Sequence, residues 1–417
     1  MHTTTSLPSR LRACAWALAA LILSACNLEV TNPGPVNASF LDDKAAFPAL
    51  VNGAGRDLAE ALNWVSYTGA AVARELNPAG STGSFGITPA QQGGKLVDDE
   101  TGTHWQLAQR ARWTSESAIT RIKTVLGTGY ASNAQYLQAL VWVGYSNRLL
   151  AENFCDGVID GSAKQDYTVY LTRSEAAFTE AITVATSQNN TVLLNAARAG
   201  RASVRLLKKD LTGAVADAAG LPNTFAYKMP YNAIDADQYN RIFWSTANTP
   251  YRAHTVWGTF YETYYQTTKD PRVAWGSDPK YPVGDAAVGN LGKVPWYFEL
   301  KFPAKDSPIN LTTGWEMRLI EAEAKLTGGD VTGAMTLVNG HRVALSLAPW
   351  TAANATDAWT ALKRERGIEL WLEARRLADV RRWAANNTPG ASDDMAGRDV
   401  CFATPREEKE SNPKFKP

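Results

Sequence analysis

Apolar residues recur at helical spacing from about Ser39 to Leu221; Tyr136, Leu137, Leu140, Val141, Val143, Tyr145, Leu149 and Leu150 are a clear run. Such spacing predicts amphipathic helices that bury one face each. One stretch interrupts it, Asn77 to Gly94, rich in Gly, Ser, Thr and Gln, and reads as an unusually long loop. Between Thr224 and Thr313 the periodicity weakens, and Pro, Gly, Asn and aromatic residues dominate. Helical spacing returns at Trp315 and is sharpest over Glu365 to Trp383, where Glu365, Glu369, Glu373, Arg376, Asp379 and Arg382 recur before a terminal tryptophan. The pattern divides the chain into an N-terminal helical repeat region, 39–223, an irregular aromatic-rich insertion, 224–313, and a C-terminal helical region, 314–417, that completes the repeat scaffold.

An internal repeat supports that division. Lys209 to Val215 (KDLTGAV) aligns with Gly329 to Met335 (GDVTGAM), each between two helical stretches. In both, Asp stands where it can cap the first turn of the second helix. The pair resembles the turn of a tetratricopeptide helical hairpin, whose small residues let paired helices pack closely. The expected fold is therefore mostly α, a scaffold of tetratricopeptide-like hairpins carrying a large loop-rich insertion.

Ahead of this body, the basic pair Arg10 and Arg12 precedes an apolar run, Ala13 to Ala25. The run falls short of the ~20 residues a membrane-crossing helix needs and reads as the core of a signal peptide. Leu23, Ser24, Ala25 and Cys26 resemble a bacterial lipobox, so residues 1–25 are expected to be removed and Cys26 to carry lipid. Residues 26–38, with Pro33, Gly34 and Pro35, read as a flexible spacer. No later stretch approaches spanning length, so the mature chain is expected to hold something at a membrane and to need a partner for transport. With 42 basic and 41 acidic residues, net charge +1, the chain has no electrostatic footprint for nucleic acid or an anionic lipid surface. Once Cys14 leaves and Cys26 is acylated, Cys155 and Cys401 remain, as one disulfide or as two separately buried thiols.

Catalytic chemistry finds little support. Glu369 and Glu373, one turn apart on a single predicted helix, would approach the carboxyl spacing of a retaining glycosidase. Arg366, Arg375, Arg376 and Arg382 crowd that helix, however, and are expected to keep both carboxylates ionised, whereas a general acid needs a raised pKa. An ion-pair network that docks the helix is the expectation. HExxH, GxSxG and GxxxxGK motifs are absent, and His104, His254 and His341 read as hydrogen-bonded structural residues. Asp156 to Asp166 is acidic but lacks calcium-loop spacing. No cofactor and no metal are expected.

The order of residues in Glu365 to Trp383, ERGIELWLEARRLADVRRW, resembles the C-terminal helix of the SusD/RagB family of surface nutrient-binding lipoproteins. So do Trp315 to Arg342 and the ending around Cys401 and Asn412-Pro413; Ala374, where the family often has glycine, and Leu377-Ala378, where aromatics are usual, depart from it. The resemblance implies an outer-membrane, lipid-anchored protein facing the cell exterior, which passes an oligosaccharide or a peptide to a SusC-like TonB-dependent transporter without breaking bonds. Two rivals remain, a glycan-cleaving lipoprotein and a tetratricopeptide scaffold that binds only proteins. Aromatic rings can stack on the C–H face of a sugar, and they lose little freedom on binding. In the aromatic-rich insertion, Trp244, Tyr251, Trp257 and Trp275 are the first candidates for ligand contact; Trp64 and Tyr67, with the Asn77 to Gln92 loop, are the second.

Overall fold

The computed structural model describes residues 38–247, 250–392 and 395–415. The leader, Cys26 and the spacer up to Asn37 lie outside the described residues. Residues up to Asp43 form one unit, of which a single 3-10 turn, Ala38–Asp42, is described; Lys44 onwards is a second, compact unit.

That second unit is built on antiparallel helices in sequence: α1 (Phe47–Val72), α2 (Gly102–Leu126), α3 (Ala134–Asn153), α4 (Thr168–Ser187), α5 (Thr191–Leu207) and α6 (Leu211–Ala218). Each packs on the next. After the insertion come α7 (Gly314–Thr327), α8 (Val331–Val338), α9 (Ala355–Glu369) and α10 (Arg376–Ala385). Helix α7 lies against α6, so the helices before and after the insertion form one continuous scaffold.

The two repeat copies fold alike. Asp210 accepts the Gly213 N–H at 2.9 Å and Asp330 accepts that of Gly333 at 2.8 Å, each capping the short second helix of a hairpin. The residue before each Asp is left-handed, Lys209 at φ +66° and Gly329 at φ +82°. Small residues line the interfaces: Ala199, Ala202, Ala214 and Ala218 between α5 and α6, Ala322 and Ala334 between α7 and α8. Closer approach still is seen around Phe178 of α4. Its ring sits against Gly144 of α3 and Gly200 of α5, where a Cβ on either glycine would overlap it.

The insertion leaves the scaffold through an antiparallel stem in which Ala226–Met229 pairs with Ile309–Thr313, Ala226 opposite Thr313 and Met229 opposite Ile309. Both chain directions are thus fixed at its base. A C-terminal strap returns to α3: Phe402 N–H donates to Asn153 O at 2.7 Å, and Cys155 is disulfide-bonded to Cys401, Cα–Cα 5.1 Å.

Two expectations are corrected. Residues 77–94 are not a featureless loop: Asn77–Pro78 pairs with His254–Thr255, Thr82–Phe85 is a 3-10 turn, and Thr88 and Gln91 form a capping box on the helical turn Pro89–Gln92. Nor do Glu365 to Trp383 form one helix. Helix α9 ends at Glu369, and α10 begins at Arg376 after Leu372 and Ala374 adopt φ +63° and +61°. Glu369 and Glu373 are therefore not one turn apart on a common helix.

Candidate functional site

The charged C-terminal segment is buried and paired, largely with groups outside it. Glu365 meets Arg272 at 2.6 Å and Arg342 at 3.3 Å; Glu369 meets Arg272 at 3.0 Å and His341 at 2.7 Å; Glu373 meets Lys301 at 2.7 Å. Arg272 and Lys301 belong to the insertion, so these pairs fix it onto α9 and the turn that follows. The arginines expected to neutralise Glu369 and Glu373 have other partners: Arg366 pairs with Asp379 at 2.8 Å, Arg375 with Glu316 at 2.6 Å, and Arg382 with Asp379 and Glu323. Arg376 lies against Gly367 in the same buried layer. Burial raises the Glu373 carboxyl above its ordinary value despite Lys301 and Asn310, while for Glu369 burial is outweighed by His341 and Arg272, which hold it low. The basic groups beside the two carboxylates are thus Lys301, Arg272 and His341 rather than the arginines of the same segment. Both carboxylates are buried, Glu369 at 8% and Glu373 at 2% exposed.

Some of the aromatic candidates converge elsewhere. Trp64 stands on α1, and Arg241, at the start of the short helix Arg241–Thr246, lays its guanidinium 3.4 Å from the Trp64 ring centre. The same guanidinium donates to the Phe85 carbonyl at 2.7 Å, which ties the 77–94 segment to the insertion. Gly86 makes the approach possible: it is left-handed at φ +82°, and a Cβ there would strike the Trp64 ring. Phe85 is the floor, with Trp244 edge-on at 5.6 Å and Tyr251 at 5.2 Å; Tyr239 meets Trp244 at 5.3 Å. Asp285 accepts the Ser81 N–H at 2.8 Å and holds the segment from the other side. Tyr251 is 40% exposed and Trp64 and Trp244 are half-buried, so the aromatic arc reaches solvent through these three rings, with Phe85 buried beneath them. Burial lowers the Arg241 pKa to about 10, which leaves it charged at neutral pH, and among the described residues no carboxylate pairs with it.

The other candidates lie apart. Trp275 stacks on Tyr297 at 4.4 Å and donates its indole N–H to Glu262 O, and Trp257 accepts from Asn77 through its backbone carbonyl; neither ring joins the arc. Tyr67 is a correction. It is fully buried, hydrogen-bonded to His254 at 2.9 Å, and has no surface to offer a ligand. His104 and His254 are buried, and burial lowers both to about 3, so they stay neutral. His341 stacks on Trp315 at 4.4 Å. Among the described residues no group of three or more His, Cys, Asp or Glu is arranged to hold a metal ion, and no helix is long and apolar enough to cross a membrane.

Sequence reasoning missed Trp113 on α2. It is 55% exposed and lines a cavity of about 700 Å³ with Trp105, Gln106, Gln109 and Glu407. Arg112 there pairs with Asp160 at 2.6 Å, and Glu408 accepts the Trp105 indole N–H at 3.2 Å. The only signal was a tryptophan among the polar residues of a helical stretch, whose exposure depends on what packs beside it.

Comparison with known proteins finds a match to the SusD family over residues 233–416. Curated proteins return no match by sequence. Among solved structures, a SusD superfamily protein from Parabacteroides distasonis superposes with TM-score 0.67 at 13% identity, covering 89% of this chain and 98% of that one. Surface glycan-binding protein A from Bacteroides uniformis gives 0.66 at 12% identity, covering 90% and 99%. A SusD-like carbohydrate binding protein from Bacteroides vulgatus gives 0.59 at 17%, covering 81% and 83%. The family match covers the insertion and the C-terminal helices, and the superpositions show that the chain as a whole shares the fold of the SusD superfamily structures.

Proposed function

We propose that this protein is a lipid-anchored, outward-facing outer-membrane protein that binds an oligosaccharide at the Trp64–Phe85–Trp244–Tyr251 arc and hands it to a TonB-dependent transporter of the SusC type. In this reading 39–223 and 314–417 are the scaffold and 224–313 presents ligand. The observation that carries it is the arc itself, where Trp64 of α1 and Trp244 and Tyr251 of the insertion gather around buried Phe85, beside a guanidinium with which no carboxylate pairs among the described residues. Flat faces suit sugar C–H groups, and Arg241 retains donors for hydroxyls. The glycan-binding and carbohydrate-binding names of two similar structures support the same ligand class. In this reading binding proceeds without bond cleavage, since Glu365, Glu369 and Glu373, which recur at four-residue spacing, are all buried against cations. The lipobox-like Leu23 to Cys26 supports the anchor, and the resemblance of the C-terminal half to the SusD family supports a transporter partner.

A glycan array with the chain from Asn27 onwards tests the reading. Trp244→Ala and Tyr251→Ala are each expected to weaken the tightest glycan by tenfold or more, since base-type stacking losses of ~1–3 kcal/mol per ring are a fair measure for such contacts. Retained affinity in both variants would reject the arc. Release of shortened sugars by the purified protein would reject the non-catalytic reading.

A further inference from the structure

A cavity of about 460 Å³ lies beside the N-terminal halves of α1 and α3, closed by the segment 229–238. Its polar lining is carboxamide, from Asn52, Gln138, Asn232 and Gln238, with Arg56 at the rim and the Trp142 indole as a flat wall. No carboxylate is among its lining residues. A carboxamide presents donor and acceptor together, which matches the dual character of a hydroxyl, and an indole face adds an apolar platform.

Several of these groups have unspent capacity. The Asn52 side chain and the Trp142 N–H make no hydrogen bond among the described residues. Asn232 uses Oδ1 to accept the N–H groups of Ile234 at 3.0 Å and Asp235 at 2.8 Å, which leaves its amino group as donor. Gln138 donates Nε2 to the Tyr227 hydroxyl at 3.0 Å and keeps its carbonyl oxygen. The walls are fixed in place: Tyr231 donates to Ala59 O at 2.9 Å, and Arg56 meets Asp235 at 3.0 Å. Glycine at position 55 matters here, since a Cβ would come within 3.1 Å of the Trp142 indole nitrogen and press the ring off α1.

We propose that this cavity is a second carbohydrate position that takes a neutral, hydroxyl-rich unit of the same chain bound at the aromatic arc. The link is covalent and short: the segment that walls the cavity with Met229 and Gln238 continues directly into Tyr239 and Trp244. Arg56 is occupied by Asp235 and Glu60, so an anionic sugar gains no cation there. The assignment rests on the glycan-binding reading above.

The test uses the full chain in detergent, a panel of neutral and uronic-acid oligosaccharides of increasing length, and calorimetric titration of the tightest neutral binder. Wild-type affinity is expected to rise with length and to show no preference for uronic acids. Asn52→Leu with Gln138→Leu is expected to lower affinity for the longest neutral oligosaccharide by about tenfold, the weight of one or two hydrogen bonds, while leaving the shortest unchanged. Asn52→Leu alone, at an exposed position, gives the same readout should the double variant fail to fold. Unchanged long-chain affinity in these variants, with binding lost in Trp244→Ala, overturns the cavity and leaves the glycan reading intact. Loss in the cavity variants with Trp244→Ala unaffected removes the arc and overturns the proposal that one chain spans both positions. A wild-type chain that binds no member of the panel overturns both.

Discussion

Glu299 lies fully buried in the insertion, where it accepts the Phe302 N–H at 2.8 Å, and burial raises its carboxyl to about 8. The unfolded chain gives up that proton near the ordinary 4.5. The stability that Glu299 contributes therefore falls as pH rises from about 4.5 to about 8 and is flat on either side, because only in that window does this carboxyl hold fewer protons in the unfolded state. Glu75, raised by burial to about 7, adds to the same slope. Glu299→Gln is expected to gain stability over wild type as pH climbs through that window, by an amount on the order of a few kcal/mol at its top. Denaturant midpoints of both proteins at several pH values would show it; a pH-independent difference would contradict it. Asp379 and Asp270, held low against burial by Arg366 with Arg382 and by Arg272, act in the opposite sense and cost stability as pH falls below their ordinary range. Ala374 offers a second test at this scale. Its φ of +61° is the left-handed region, which costs an alanine roughly 1–2 kcal/mol and glycine almost nothing. Ala374→Gly should raise the melting temperature by a few degrees, the gain reduced by glycine's greater freedom when unfolded.

Among the elements, α3, α4 and α5 pack through the Phe178 ring seated between Gly144 and Gly200. Gly200→Ala forces that ring or the helices to move, and such overpacking costs typically 1–3 kcal/mol. The loss, read by denaturant unfolding, should shrink when Phe178→Leu is added, because a smaller side chain relieves the overlap; additive losses would argue against the glycine cradle. The hairpin turns were legible because their signals are local: an Asp three residues before the N–H it caps reads the same in sequence and in space. The break between α9 and α10 was not. Leu370, Trp371 and Leu372 continue a helical apolar pattern, yet all three are buried where Tyr261 stacks on Trp371 at 4.9 Å and Lys301 donates to Trp371 O at 2.6 Å. Contacts from the distant insertion overrode the local period.

At the scale of the whole molecule, the Cys155–Cys401 disulfide closes the C-terminal strap over 246 residues of chain. Its removal by Cys401→Ser is expected to cost about 2–5 kcal/mol and to speed proteolysis of the strap around Phe402. Thermal melts with and without reductant measure the first, and an unchanged midpoint would mean that the strap is held by Phe402 and its backbone bonds alone. Helical spacing, the capped repeat turns and the charged C-terminal segment carried the mostly α architecture, because periodicity and capping depend on neighbours three or four residues away. The same sequence could flag aromatic density between 224 and 313 but not sort it. Trp244 and Trp275 look alike as letters and are both half-buried, yet one packs edge-on to Phe85 in the arc while the other stacks on Tyr297 away from it. Tyr67 and Trp64 sit three positions apart on α1, one sealed against His254 and the other beside Arg241. Which ring meets solvent is set by segments more than a hundred residues away folding against it, and long-range burial leaves no local trace in the chain.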